Sequence, residues 1–112
     1  MERIALAPEL EAGLVGDSLS LRGELTRLNG AALEQWLASL SGIAVLELSD
    51  LDIGDGVAAT HALNAVRLLR SRTPLLRIVA APQVLAHNLY RTGLLLDGAI
   101  ALEAMREEEP YG

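Results

Sequence analysis

The apolar run Ile43-Ala44-Val45-Leu46, carried on to Leu48 across a single Glu47, stands between two stretches whose apolar residues recur at helical spacing. This juxtaposition restricts the fold more than any other feature of the chain. A short, nearly continuous apolar run predicts a central strand buried on both faces. Helices before and after it predict crossover connections, and hence a sheet with parallel pairs.

The preceding helix is marked by Leu33, Trp36, Leu37 and Leu40, spaced i, i+3, i+4 and i+7, with Asn29 placed to cap its start and Gly42 to end it. Upstream, Leu14 leads into Gly16-Asp17, after which Leu19 and Leu21 alternate with Ser18, Ser20 and Arg22. That period of two predicts a hairpin, closed by Gly23-Glu24-Leu25-Thr26. Downstream, Ser49 to Gly56 reads as an acidic, glycine-containing loop, followed by a helix with Ala59, Ala62, Leu63, Val66 and Leu69 on one side. Its other side carries His61, Asn64, Arg67 and Arg70. Asp55 is placed to cap this helix through the N–H of Val57 or Ala58, and Arg67 and Arg70 complement the negative end of its dipole.

Leu75 to Ala80 predicts another strand, and Pro82 a helix start with Val84, Leu85 and Leu89 inward and Gly93 as its stop. Leu94-Leu95-Leu96 predicts a short edge or strand, and Ile100 to Glu108 a last helix fading into a solvated acidic tail. The expected order is two strands, then helix, strand, helix, strand, helix, short strand and helix.

Composition narrows what such a domain can do. The chain has 112 residues, a formal net charge of −6, 51% hydrophobic residues and no Phe or Cys, so one aliphatic core is expected. Without cysteine there are no disulfides, thiolate nucleophiles or cysteine metal sites. All nine basic residues are scattered arginines, and three aromatics cannot build a stacking platform, which argues against nucleic-acid binding. No uncharged run reaches the ~18 residues of a membrane span, and the first residues lack a signal-peptide pattern, so a cytoplasmic protein without direct membrane insertion is expected.

Catalytic and metal chemistry find little support in the residues. Asp50, Asp52 and Asp55 begin like a calcium loop, but Gly54 takes the place of its third carboxylate and His61 that of its terminal Glu. His61 and His87 are accompanied by no G-x-S-x-G elbow, H-x-x-x-H pair or phosphate-cradling glycine run. No catalytic residue, metal or cofactor is therefore expected, although His61 with Asp55 is the pair an enzyme would use. Gly23 and Gly54 are read as turn glycines, Trp36 as a core residue and Thr60 as an ordinary hydroxyl rather than a phosphosite.

Three segments together resemble the STAS domain family of anti-sigma factor antagonists, lipid-transport accessory subunits and anion-transporter tails. Gly16-Asp17-Ser18-Leu19-Ser20-Leu21-Arg22-Gly23-Glu24-Leu25 is similar to the family's second strand and its G-E-L turn. Val45 to Asp55 is similar to its central strand and acidic loop, and Gln83 to Leu94 to its third helix and G-L exit. The resemblance covers nearly the whole chain. It implies an α/β fold: a single STAS domain over residues 1–109, with a tail at 110–112 and a mixed sheet whose helices pack mainly on one face.

In members of the family that act as switches, a hydroxyl in the loop after the central strand is phosphorylated. Counting without gaps from Glu47 places the acid of that motif at Asp55, the phosphoacceptor at Val57 and Ala58 in the glycine place. A register shifted by two residues puts Asp55 at the acceptor instead. Neither offers a hydroxyl, so the resemblance implies a degenerate, noncatalytic interaction module in bacterial transcription regulation or signal transduction. Its partner-binding residues would be Asp52, Gly54, Asp55, Gly56, Val57, Ala58, Thr60, His61, Asn64 and Arg67. The implied partner is an anti-sigma factor or serine kinase-type regulator; an accessory subunit gripping the ATPase of an ABC-type lipid transporter is the alternative, and homodimerisation stays open.

Overall fold

The computed structural model describes residues 2–96 and 98–105. Three strands come first, β1 (Glu2–Ala7), β2 (Leu10–Val15) and β3 (Ser18–Leu25). Helices then alternate with strands: α1 (Gly30–Leu37), β4 (Val45–Ile53), α2 (Gly56–Arg70), β5 (Leu76–Val79), α3 (Gln83–Arg91) and β6 (Ile100–Glu103). The strands form one sheet in chain order, β1-β2-β3-β4-β5-β6. The first three pair antiparallel, while β3 to β6 pair in parallel. Each helical crossover therefore steps the same way along the sheet, and right-handed connections put all three helices on one face.

Burial follows that asymmetry. Leu19, Leu21 and Leu25 of β3, Leu46, Leu48 and Leu51 of β4, and Leu76 and Ile78 of β5 are buried beneath the helices. They meet Leu33 and Leu37 of α1, Ala62, Val66 and Leu69 of α2, and Leu85 and Leu89 of α3 in one aliphatic core. On the other face Arg22 of β3 lies in register with Glu11 on one side and Asp50 on the other. Arg77 makes a two-pronged contact with Glu103 at 2.8 and 2.7 Å. Exposed pairs like these add little stability, but a charged face resists sticking to other sheets.

The first expectation to be corrected concerns β4. Its helix-facing side is buried, but Val45 and Glu47 are only half-buried and Ser49, Asp50 and Asp52 are exposed. The strand is thus buried on one face, not two. It also runs on to Ile53, through residues expected to be loop. Between the register pairs Ser20 with Glu47 and Arg22 with Asp50, β4 carries one extra residue. This bulge lets Leu48 and Leu51, three apart, face the same core, and it breaks the alternation that identifies a strand. The Ser49 N–H donates to the Glu47 carboxylate at 2.8 Å, so the bulge satisfies its own backbone.

Other differences have similarly local reasons. Residues Glu2–Ala7 form an additional strand, in which Ile4 and Leu6 are half-buried and Arg3 and Ala5 exposed. The hairpin at Gly16-Asp17 is found as expected, with Val15 opposite Ser18. α1 ends at Leu37, short of Gly42, and Arg72 at the exit of α2 donates to the carbonyls of Leu37, Ala38 and Leu40 that the helix end leaves open. Val84 is 42% exposed rather than inward, and Leu94 to Leu96 form turns rather than a strand.

Ile100–Glu103 is strand β6, not the start of a helix: pairing with β5 overrides the helix propensity of Ala, Leu and Glu. The expected end of that helix, residues 106–108, and the tail at 110–112 lie outside the described residues. Gly23, expected in a turn with Glu24, Leu25 and Thr26, lies instead inside β3, in register with Leu10 and Leu51. What requires glycine there is the close approach of the Glu9 carbonyl: the Gly23 φ is +105°, and a Cβ there would stand 2.0 Å from the Glu9 carbonyl oxygen.

Candidate docking site

The carboxyl ends of β3 and β4 lie side by side, and each strand leads through an Asx-Gly pair into a helix: Asn29-Gly30 for α1, Asp55-Gly56 for α2. Asp55 has extended backbone and caps α2 as expected, one carboxylate oxygen accepting the Ala58 N–H at 2.7 Å. The other oxygen accepts the N–H of Arg27, 28 residues away, at 3.2 Å. One side chain thus joins the loop after β3 to the tip of α2. The Ala58 N–H, helped by those of Arg27 and Val57 and by the Arg27 charge, holds the Asp55 carboxyl below its usual range against an opposing effect of desolvation.

Around this joint, Asp52, Gly54, Asp55, Gly56, Val57, Thr60 and Arg67 are exposed, Val57 to 53%. Ala58 is fully buried, so its side chain is not part of the surface; the N3 position of the helix turns it into the core. Asn64 is half-buried. The Thr60 hydroxyl donates back to the Gly56 carbonyl at 3.3 Å. In the gap-free register the phosphoacceptor position is Val57, in the first turn of α2. In the shifted register it is Asp55, whose oxygens both accept backbone N–H groups.

His61 departs from the expected exposed face. It lies in the seam between α1 and α2, where Nδ1 meets the Glu34 carboxylate and the ring lies against Gly30. A Cβ on Gly30 would be 2.1 Å from His61 Cδ2, so the two helices approach as closely as they do because residue 30 has no side chain. Asp55 and His61 are each engaged with other groups rather than with one another. His87 is exposed on α3.

Asp50 and Asp52 belong to the open face of β4, in register with Arg22 and Glu24. Among the described residues, no three His, Asp or Glu side chains are grouped to hold a metal ion, and no helix is long and apolar enough to cross a membrane.

The sequence reading missed the other half of this surface. Leu28 follows Arg27 in the loop joined to Asp55, and it is 88% exposed. Its loop is braced by two side chains. Thr26 Oγ1 accepts the Leu28 N–H at 3.2 Å. Asn29 accepts the Thr26 N–H at 2.8 Å and donates to the Glu24 carbonyl at 2.9 Å. The available signal was Leu28 itself, an apolar residue between Arg27 and Asn29 that fits neither the strand alternation nor the helical stripe. Comparison with known protein families and with curated protein sequences gives no match for this chain.

Proposed function

We propose that the chain is a noncatalytic, STAS-like protein-interaction module of the anti-sigma factor antagonist type. It docks the tip formed by Asp52 to Val57, together with Thr60, Asn64 and Arg67 on the flank of α2, against a regulatory protein in the cytoplasm. The observation that carries this reading is the Asp55 joint. It holds an exposed turn and helix start in one geometry, with Val57 bare at the centre, and a preorganised surface loses less freedom on binding. The order of elements and the one-sided placement of the helices support the family resemblance.

The module works without a phosphoswitch at the usual place. Phosphorylation of a hydroxyl at position 57 would add about −1.5 to −2 charge next to the Asp55 carboxylate, enough to repel a partner fitted to the neutral loop. Valine removes that option, so binding is constitutive or is controlled by the partner. Affinity purification tests the surface: Val57→Asp and Arg67→Glu should each lose an anti-sigma or kinase-type regulator that the wild type captures. Retention of every partner by both variants overturns this face, and a transporter ATPase lost in both would replace the regulator as its partner. Stoichiometric phosphate within residues 54–58 after incubation with candidate kinases would refute the missing switch.

A further inference from the structure

The turn between β1 and β2 and the loop between β3 and α1 enclose a groove of about 250 Å³, lined by Ala7, Pro8, Glu9, Thr26, Leu28 and Asn29. Its walls are mainly aliphatic. Glu9 is the one ionisable residue in the lining, and its side chain is exposed. The space falls below the roughly 300–1,000 Å³ of a small-molecule site, but it suits one long side chain.

Both walls are fixed. Glu9 holds a left-handed backbone with φ of 72°, and its carbonyl accepts the Glu24 N–H at 2.8 Å across the close approach at Gly23. Opposite, Thr26 and Asn29 brace the segment that carries Leu28. No arginine among the described residues lines this groove; Arg22 shares with Glu9 the lining of the adjoining depression on the β1–β3 side. The result is a mainly apolar groove with one acid in its lining, on a chain whose net charge is −6.

We infer that this groove is a second docking point, which takes an arginine or lysine side chain from an apolar segment of the protein partner. The aliphatic stem lies along Pro8 and Leu28, and the cationic head meets the Glu9 carboxylate. Through the Arg27 contact with Asp55 the groove adjoins the α2 tip, so the proposal rests on the docking reading above and widens its footprint towards β1. It also gives the partner a sign: basic where this surface is acidic.

The test uses the intact protein, nitrogen-15 amide NMR and three capped tripeptides, Leu-Arg-Leu, Leu-Gln-Leu and Leu-Glu-Leu. The arginine peptide should shift the amides of Glu9, Thr26, Leu28 and Asn29, and the glutamate peptide should not. Glu9→Gln and Leu28→Ala, each checked for an otherwise unchanged spectrum, should weaken the arginine peptide about threefold to fivefold. Equal binding of all three peptides, shifts confined to other residues, or undiminished binding by Glu9→Gln overturns the groove. Peptide binding here with every partner retained by Val57→Asp and Arg67→Glu would keep the groove and remove the α2 face. Captured partners lost in those variants, with no peptide response, would do the reverse.

Discussion

The two helix starts at the carboxyl end of the sheet have nearly the same sequence and different physics. Asn29-Gly30 and Asp55-Gly56 both place a capping residue before glycine. Asp55 does what its type predicts and caps its own helix, with one further bond to Arg27. Asn29 stands at the cap position of α1 but does not cap it; its amide bridges Thr26 and Glu24 instead, and it is 4% exposed. The glycines differ in the same sense. Gly30 faces the His61 ring, whereas a Cβ on Gly56 would have nothing within 4 Å. The start of α1 is therefore fixed by Asn29, which ties the preceding loop to the end of β3, and by Gly30 against His61. The start of α2 is fixed by the Asp55 cap with its bond to Arg27. Both starts leave an exposed apolar residue beside the cap position, Leu28 before α1 and Val57 in the first turn of α2.

Gly30→Ala should break this contrast most severely. The added methyl would displace the whole His61 side chain, since even its Cβ would be 2.7 Å away, and the Glu34 contact would go with it. A loss of about 2–3 kcal/mol is expected by urea denaturation. A loss under about 0.5 kcal/mol would mean that the helices separate easily, contrary to the close seam described here.

Asn29→Ala comes next. It removes two bonds to backbone groups, leaving the Thr26 N–H and Glu24 carbonyl without that partner, at an expected cost of about 2 kcal/mol. Asn29→Asp sharpens the result, because the carboxylate still accepts from Thr26 but cannot donate to Glu24. It should fall between wild type and alanine. If Asn29→Ala cost no more than loss of an exposed cap, the two helix starts would be equivalent after all.

This pair also explains how far the sequence could be read. Spacing alone located α2, its Asp55 cap and its basic last turn, because those features are satisfied within a few residues. The hairpin at Gly16-Asp17 was legible for the same reason. The Asn29 bridge depends on how β3 ends, and the His61 seam depends on α1 lying beside α2; neither leaves a local pattern. The second half of β4 was hidden by its bulge, and β6 by its dependence on β5. In β1, Ile4 and Leu6 did leave an alternating pattern, but only over six residues. At the proposed docking surface, charge and capping pointed to Asp55, while Leu28 and the groove beside it required two chain segments to meet.

The Asp55 joint should give a smaller effect with a distinct pH dependence. Asp55→Ala should lower Tm by about 2–8 °C at neutral pH through loss of the cap and of the Arg27 bond. Because the folded carboxyl is held below its usual range, its contribution is complete above the unfolded pKa. It is lost as pH falls through the lower folded value, at the acid edge of the carboxylate range. Asp55→Asn retains an acceptor but no titrating charge, so its Tm should fall less steeply with acidification there. Glu103, held low chiefly by its hydrogen bond from Arg77, acts in the same direction and is the internal control: Glu103→Gln should flatten the same acid limb without disturbing the α2 tip. An acid limb unchanged in Asp55→Asn would show that the cap exerts no preference for the charged form.

Gly56→Ala should have the smallest effect and the opposite sign. Residue 56 occupies the first position of α2, its φ lies outside the left-handed region, and a methyl there meets open space. Alanine restricts the unfolded chain and suits the helix, so the variant should gain roughly 0.4–1 kcal/mol in the same urea titration. The same Gly→Ala change would then have opposite signs at two helix starts that look alike in sequence. If it destabilised the protein instead, the tip would need glycine's freedom in some other conformation, and the single fixed geometry assigned to the docking surface would have to be abandoned.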